Sequence, residues 1–185
     1  MRARALGQIA MAAALVAGGA MAKSRSNANL PQTDQQIAES VRHEIATYPY
    51  YSIFDDIRFS VVNGQVELSG DVTQPVKKSD IGKIVEKLPG VSSVTNSIEV
   101  LPLSDFDARL RLQIARSIYS APTLSRYAMG ALPSIHIIVN NGHVTLTGVV
   151  ATDMDKQIAG MRANQALSFG PVQNNLVVEN PARKS

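Results

Sequence analysis

The chain has 185 residues, 45% of them hydrophobic and none of them cysteine, so it holds no disulfide and no thiol that could carry a lipid. Its 18 bases and 15 acids leave a formal charge of +3, and nowhere do the bases form the dense stripe that a nucleic-acid binder needs.

Residues 1–22 have the layout of a secretory signal peptide. Arg2 and Arg4 open it, Ala5 to Ala17 is an apolar run too short to span a bilayer comfortably, and Ala20-Met21-Ala22 offers the small residues that a signal peptidase accepts. Gln8, Gly18 and Gly19 break the run and argue against an uncleaved anchor. The expected mature protein starts near Lys23 in the periplasm or outside the cell, with 23–33 as a linker. Without this leader and linker, which hold four bases and no acid, the charge divides sharply. Residues 34–102 carry six bases against ten acids, a net −4, while residues 103–185 carry eight bases against five acids, a net +3.

The first module, 34–102, opens with Ile37, Val41, Ile45 and Tyr48 at helical spacing, stopped by Pro49. A hairpin follows, because Asn63-Gly64 supplies the two residues of a type I′ turn. A two-residue loop there pairs Val62 with Gln65, Val61 with Val66 and Phe59 with Leu68. It places Ile57, Phe59, Val61, Val66 and Leu68 on a buried face and Arg58, Ser60, Gln65, Glu67 and Ser69 on a wet one. Pro75 begins a second helix with Val76, Ile81, Ile84, Val85 and Leu88. After Pro89-Gly90, the alternation Val94, Asn96, Ile98, Val100 closes the module as a strand.

The second module, 103–181, repeats this order and leaves 182–185 as a tail. Asp105 stands where a cap would precede a helix with Phe106, Leu110, Ile114 and Ile118 on one side. Asn141-Gly142 makes the hairpin that pairs Val139 with Val144 and Ile137 with Leu146. The two hairpins match at an offset of 78 residues: Asn63/Asn141, Gly64/Gly142, Val66/Val144, Leu68/Leu146, Gly70/Gly148 and Val72/Val150 are identical. At that offset Gly82 also meets Gly160, Val94 meets Val172, Asn96 meets Asn174 and Val100 meets Val178. The first helices match at an offset of 73 instead, so five extra residues lie between Ala121 and Ser134, where Met129 to Pro133 reads as a loop. Two copies of one small unit point to a module pair and to binding rather than catalysis.

Two units with the pattern helix, V-x-N-G-x-V-x-L-x-G-x-V, helix, V-x-N-x-(I/L)-x-V, behind a signal peptide, resemble the BON domains of bacterial envelope proteins. The resemblance covers Asp34 to Pro181. It implies an α+β fold of two tandem α-β-β-α-β modules, each a three-stranded mixed sheet with two helices packed on one face. It also implies no enzymatic activity, no cofactor, and attachment to phospholipid or other envelope components in support of envelope integrity or stress tolerance. Gly90-Val91 before the last strand becomes Ser168-Phe169 in the second copy, a departure from the family's pattern.

The motif residues are those of a folding signature, so a binding site is sought where the copies differ. On the outer side of the first helix, Glu39, Arg42, His43 and Ala46 in the first module become Leu112, Ala115, Arg116 and Tyr119 in the second, with Arg109 at the border. Apolar and aromatic side chains flanked by arginines suit an anionic phospholipid surface, where each arginine adds roughly 1 kcal/mol. The alternatives are a periplasmic protein partner on the same face, or packing of Leu112 and Tyr119 on the first module or the inserted loop.

No catalytic or metal-binding set emerges. His43, His136 and His143 have no ligand spacing on one element, and register places His136 and His143 on the wet face of the second hairpin. Asp153 and Asp155 fit a solvated helix start, Asp55-Asp56 a surface loop, and Tyr48 to Tyr51 the covering of a core end. An enzyme acting on wall polymer would require those acids and tyrosines to line a cleft.

Overall fold

The computed structural model describes residues 32–129, 134–166 and 168–179; the expected signal peptide, most of the linker, residues 130–133 of the inserted loop and the tail fall outside them. In the first module, α1 (Asp34–Thr47) starts at a capping box in which Thr33 and Gln36 satisfy each other's backbone N–H, and it ends before Pro49. Then come β1 (Asp56–Val62), β2 (Gln65–Val72), α2 (Pro75–Glu86) and β3 (Ser93–Val100). The sheet order is β1-β2-β3, with β1 antiparallel and β3 parallel to β2. The pairing Val62/Gln65, Val61/Val66, Phe59/Leu68 is the register that the Asn63-Gly64 turn requires, with both turn residues at positive φ. Ile37, Val41, Val66, Leu68, Ile81, Val85 and Ile98 form the buried centre between helices and sheet.

The second module has α3 (Asp105–Tyr119), a 3-10 turn (Ser125–Ala128), β4 (Ile135–Asn140), β5 (His143–Val150), α4 (Asp153–Ala163), β6 (Gln173–Asn174) and β7 (Val177–Val178). Its third strand is split: β6 and β7 both run parallel to β5, and the Asn175 N–H bond to the Leu146 carbonyl bridges the interruption. Pro171 stands where Ser93 opens β3 and has no N–H to give the ladder, so pairing begins two residues later. The helix cap is Ser104, whose hydroxyl accepts from the Asp107 N–H; Asp105, the expected cap, lies inside the first turn. Phe106 is not in the core either. It is 37% exposed and stacked on Phe169, ring centroids 5.1 Å apart, at the hairpin end of the module.

Two interactions recur in both copies and hold the layers in register. The Asp34 carboxylate accepts from the N–H groups of Asn63 (2.7 Å) and Gly64 (2.8 Å), and Asp107 does the same for Asn141 (2.9 Å) and Gly142 (2.8 Å). One acid in the first turn of the first helix thus clamps the hairpin turn of its own module. The side-chain amides of Asn96 and Asn174 donate to the carbonyls of Lys78 and Lys156, across Gly82 and Gly160. A Cβ on either glycine would lie 2.7 Å from that amide nitrogen, so the helix can approach the strand only where it carries no side chain.

The modules touch through the segment before β1. Ile53 and Phe54 of the first module pack on the second module's core, and the Ile137 N–H of β4 donates to the Ile53 carbonyl at 2.7 Å.

Removing the buried clamp strands two backbone donors. Asp107→Ala is expected to lower unfolding free energy by about 2–4 kcal/mol in urea denaturation. Asp34→Ala, at a more exposed turn, should cost less.

Candidate functional site

The five residues expected on the outer side of α3 do not share one environment. Arg109, Leu112 and Arg116 recur at three- and four-residue spacing and are exposed, with Leu112 47% accessible. Ala115 and Tyr119 turn to the neighbouring flank, where both pack on the second core and the Tyr119 hydroxyl donates to the Ile135 carbonyl at 2.7 Å. Burial pushes that hydroxyl up to about 12, so it remains a neutral donor at ordinary pH. Arg111 belongs to the same flank. It is 8% exposed and donates to the Val139 carbonyl at 2.6 Å, with its guanidinium drawn below the ordinary value by burial and partly restored by Asp107. A helical wheel read from hydrophobicity treats Arg111 as solvated; its position beside Leu110 and Ile114 was the only hint that it lies over the strand edge.

The exposed stripe is therefore Arg109, Leu112 and Arg116, and Phe106 stands one helical turn before Arg109 with Phe169 stacked beside it. The matching face of α1 carries Glu39 and His43, both exposed, with no large apolar residue.

Three polar groups expected to be solvated are engaged instead. Asp55 is fully buried and accepts from Lys77 Nζ (2.6 Å), from the Ser52 hydroxyl and N–H, and from the Thr73 hydroxyl and N–H. Asp155 is buried at the start of α4 and meets Arg126, the Tyr127 hydroxyl and the Thr152 hydroxyl. His136 is half-buried on Tyr51, ring centroids 5.5 Å apart. Lys77 and Asp155 occupy equivalent positions at the hairpin offset of 78, so the two copies build the same helix-start ion pair with its polarity reversed. The five extra residues matter here, since the longer connection supplies the 3-10 turn that carries Arg126 and Tyr127.

The tyrosines near Pro49 cover the core end as expected. Tyr48 is buried and donates to Asp80 at 2.9 Å, its hydroxyl raised to about 12 by burial and by that carboxylate. With Asp55 locked in its ion pair, they do not form a set of free acids. On the wet face of the first sheet Asp56, Asp71 and Glu99 line up across the strands, and Asp71 is held above the ordinary value by burial and by its acidic neighbours. Among the described residues no group of His, Cys, Asp and Glu could hold a metal ion, and no helix is long and apolar enough to cross a membrane.

The family model for the BON domain matches residues 33–102 and again 107–180. The chain belongs to the BON family. Among solved structures it is similar to CdsD, a structural protein of the type III secretion system of Chlamydia trachomatis, at 18% identity and a TM-score of 0.32. That match covers 78% of this chain and 61% of the other, so the BON chain spans less than two thirds of the CdsD chain. The C-terminal domain of CdsD aligns at 16% identity and a TM-score of 0.29, covering 82% of this chain and all of that one. Likeness this loose carries no statement about function. No curated protein matches.

The two ion pairs make stability pH-dependent. Burial alone would raise the Asp55 and Asp155 carboxyls, but hydrogen bonds led by Lys77 and Ser52 for Asp55, and by Thr152 and Tyr127 for Asp155, hold both below the ordinary 3.8. Their contribution is full above that value and is lost as pH falls through the lower folded-state values. Thermal unfolding followed from pH 7 to pH 2 should show a steep loss of Tm below about pH 4, and Asp55→Asn should flatten it.

Proposed function

We propose that this BON protein is exported, non-enzymatic and part of the bacterial envelope, and that its second module adsorbs reversibly to anionic phospholipid through the outer stripe of α3. The observation that supports this reading most is the asymmetry of the two copies. Where α1 presents Glu39 and His43, α3 presents Leu112 between Arg109 and Arg116. Leu112 would enter the acyl boundary while the arginines stay with the headgroup phosphates. Phe106 and Phe169 add exposed aromatic surface at one end of the same helix. The net +3 of the second module draws it to an acidic surface, and the net −4 of the first keeps that module away.

A short face with one aliphatic side chain and no acyl anchor binds weakly and loses affinity with salt. Such adsorption suits a role in envelope integrity or stress tolerance, where many copies act on a surface without being fixed to it. The engagement of Asp55 and Asp155 in ion pairs is the support for the non-enzymatic reading.

Co-sedimentation separates this proposal from a periplasmic adaptor on the same face. The mature chain should pellet with phosphatidylglycerol vesicles at low salt, not at about 0.5 M salt, and not with phosphatidylcholine vesicles. Leu112→Glu/Arg116→Glu, which spares the Tyr119 hydroxyl bond, should lower partitioning by at least about tenfold. If wild type stays in the supernatant in every condition, the phospholipid reading fails and the face is left to a protein partner.

A further inference from the structure

In the second module the outer edge of β4 is partly sealed, with one backbone group engaged at each of three residues. Its outward backbone groups belong to Ile135, Ile137 and Val139. The Ile135 carbonyl accepts from the Tyr119 hydroxyl, the Ile137 N–H donates to the Ile53 carbonyl, and the Val139 carbonyl accepts from the Arg111 guanidinium. The first module has the same edge without the seal. At the offset of 78 the equivalent residues are Ile57, Phe59 and Val61, and at the helix offset of 73 Arg111 and Tyr119 become Ala38 and Ala46. Neither alanine has a polar group to offer. Among the described residues the outward N–H and C=O groups of Phe59 and Val61 have no partner. An open groove of about 540 Å³ runs beside them, lined by Ala38, Arg42, Phe59 and Val61, with Asp34 and Gln35 at the hairpin end, where the Asp34 carboxylate is already taken by the turn, and Ile57 and Arg58 at the other.

An unpaired strand edge with a groove beside it is the geometry by which sheets take up an extended peptide. We propose that the β1 edge of the first module binds an extended peptide segment that carries an acidic side chain at its centre. The second module already shows this edge taking a backbone carbonyl from outside its own sheet, since that of the turn residue Ile53 meets the N–H of Ile137 at the position equivalent to Phe59. The choice of an acidic segment follows from Arg42. Its guanidinium lies 5.9 Å from the Phe59 ring centroid, above the middle of the strand, and meets no carboxylate among the described residues, whereas Arg58 is bridged to Asp56 at 3.4 Å. Ala38 leaves room on the helix side for a small apolar side chain, whereas the Ala46 end of the edge borders His136, Gly148 and Val149 of the second module. The site is on a different module from the lipid-facing stripe and stands or falls separately from it.

The test titrates the full chain with a fluorescein-labelled heptapeptide of alternating valine and threonine bearing one central glutamate, and with its central-lysine counterpart, followed by anisotropy and by amide hydrogen exchange. The glutamate peptide should bind at least about tenfold more tightly than the lysine peptide. It should slow exchange at Phe59 and Val61 while leaving Ile137 unchanged. Ala38→Arg/Ala46→Tyr, which rebuilds the second module's seal, should abolish binding, and Arg42→Ala alone should remove the preference between the peptides. Absence of binding by either peptide at millimolar concentration overturns the proposal. So does binding that survives the rebuilt seal, or a Phe59 amide already as protected as Ile137 in the free protein. Protection of Phe59 that rises with protein concentration without peptide would assign the edge to a second copy of the chain and equally overturn it.

Discussion

Each module depends on one carboxylate at the start of its first helix. Asp34 and Asp107 accept the two N–H groups of the Asn-Gly turn, so a helix that precedes the hairpin in sequence is tied to the far end of that hairpin in space. The turn fixes the register of the strands, and the register fixes which side chains face the helices. The clamp joins those two levels by setting where along the sheet the helix lies. In the second module the carboxylate is completely buried, and its two backbone partners have no other acceptor to turn to.

Upon that shared frame the copies diverge where the frame does not need them. The ion pair at the start of the second helix survives with its charges exchanged, Lys77 with Asp55 in one copy and Asp155 with Arg126 in the other. What is retained is a buried charge at the helix start with a partner, Lys77 in one copy and Asp155 in the other, since an unpaired one there would be costly, while its sign is free. The strand edge diverges more. One copy covers it with an arginine, a tyrosine and a loop from its neighbour; the other leaves it open beside two alanines. The outer helix face diverges in the opposite sense, plain in the first copy and apolar between arginines in the second.

Much of this was legible in the chain because it is local. Asn63-Gly64 and Asn141-Gly142 determine their strand pairings within a few residues, and the structure has those pairings residue for residue. The repeat also carried the reason for Gly82 and Asn96, as a pair that recurs at one offset. What escaped was long-range and polar. An acid at a helix start is accounted for by the helix dipole alone, so only the recurrence of Asp34 at Asp107 set that residue apart from Asp105, and nothing in the sequence set Asp155 apart from Asp153. Arg111 looked like any surface base until the strand that passes beneath it was known. For the same reason the candidate face was half resolved: Leu112, Arg109 and Arg116 are exposed, whereas Tyr119 spends its hydroxyl on a strand edge that periodicity cannot locate.

The proposed function divides the labour between the copies, so that only the second module meets the bilayer. Paramagnetic relaxation enhancement from spin-labelled lipid in phosphatidylglycerol nanodiscs, read on the backbone amides of the mature chain, tests it directly. Broadening is expected to be confined to α3 around residues 109–116 and to the neighbourhood of Phe106 and Phe169, with α1 untouched. Equal broadening of both helices, or broadening centred on the first module, would contradict it.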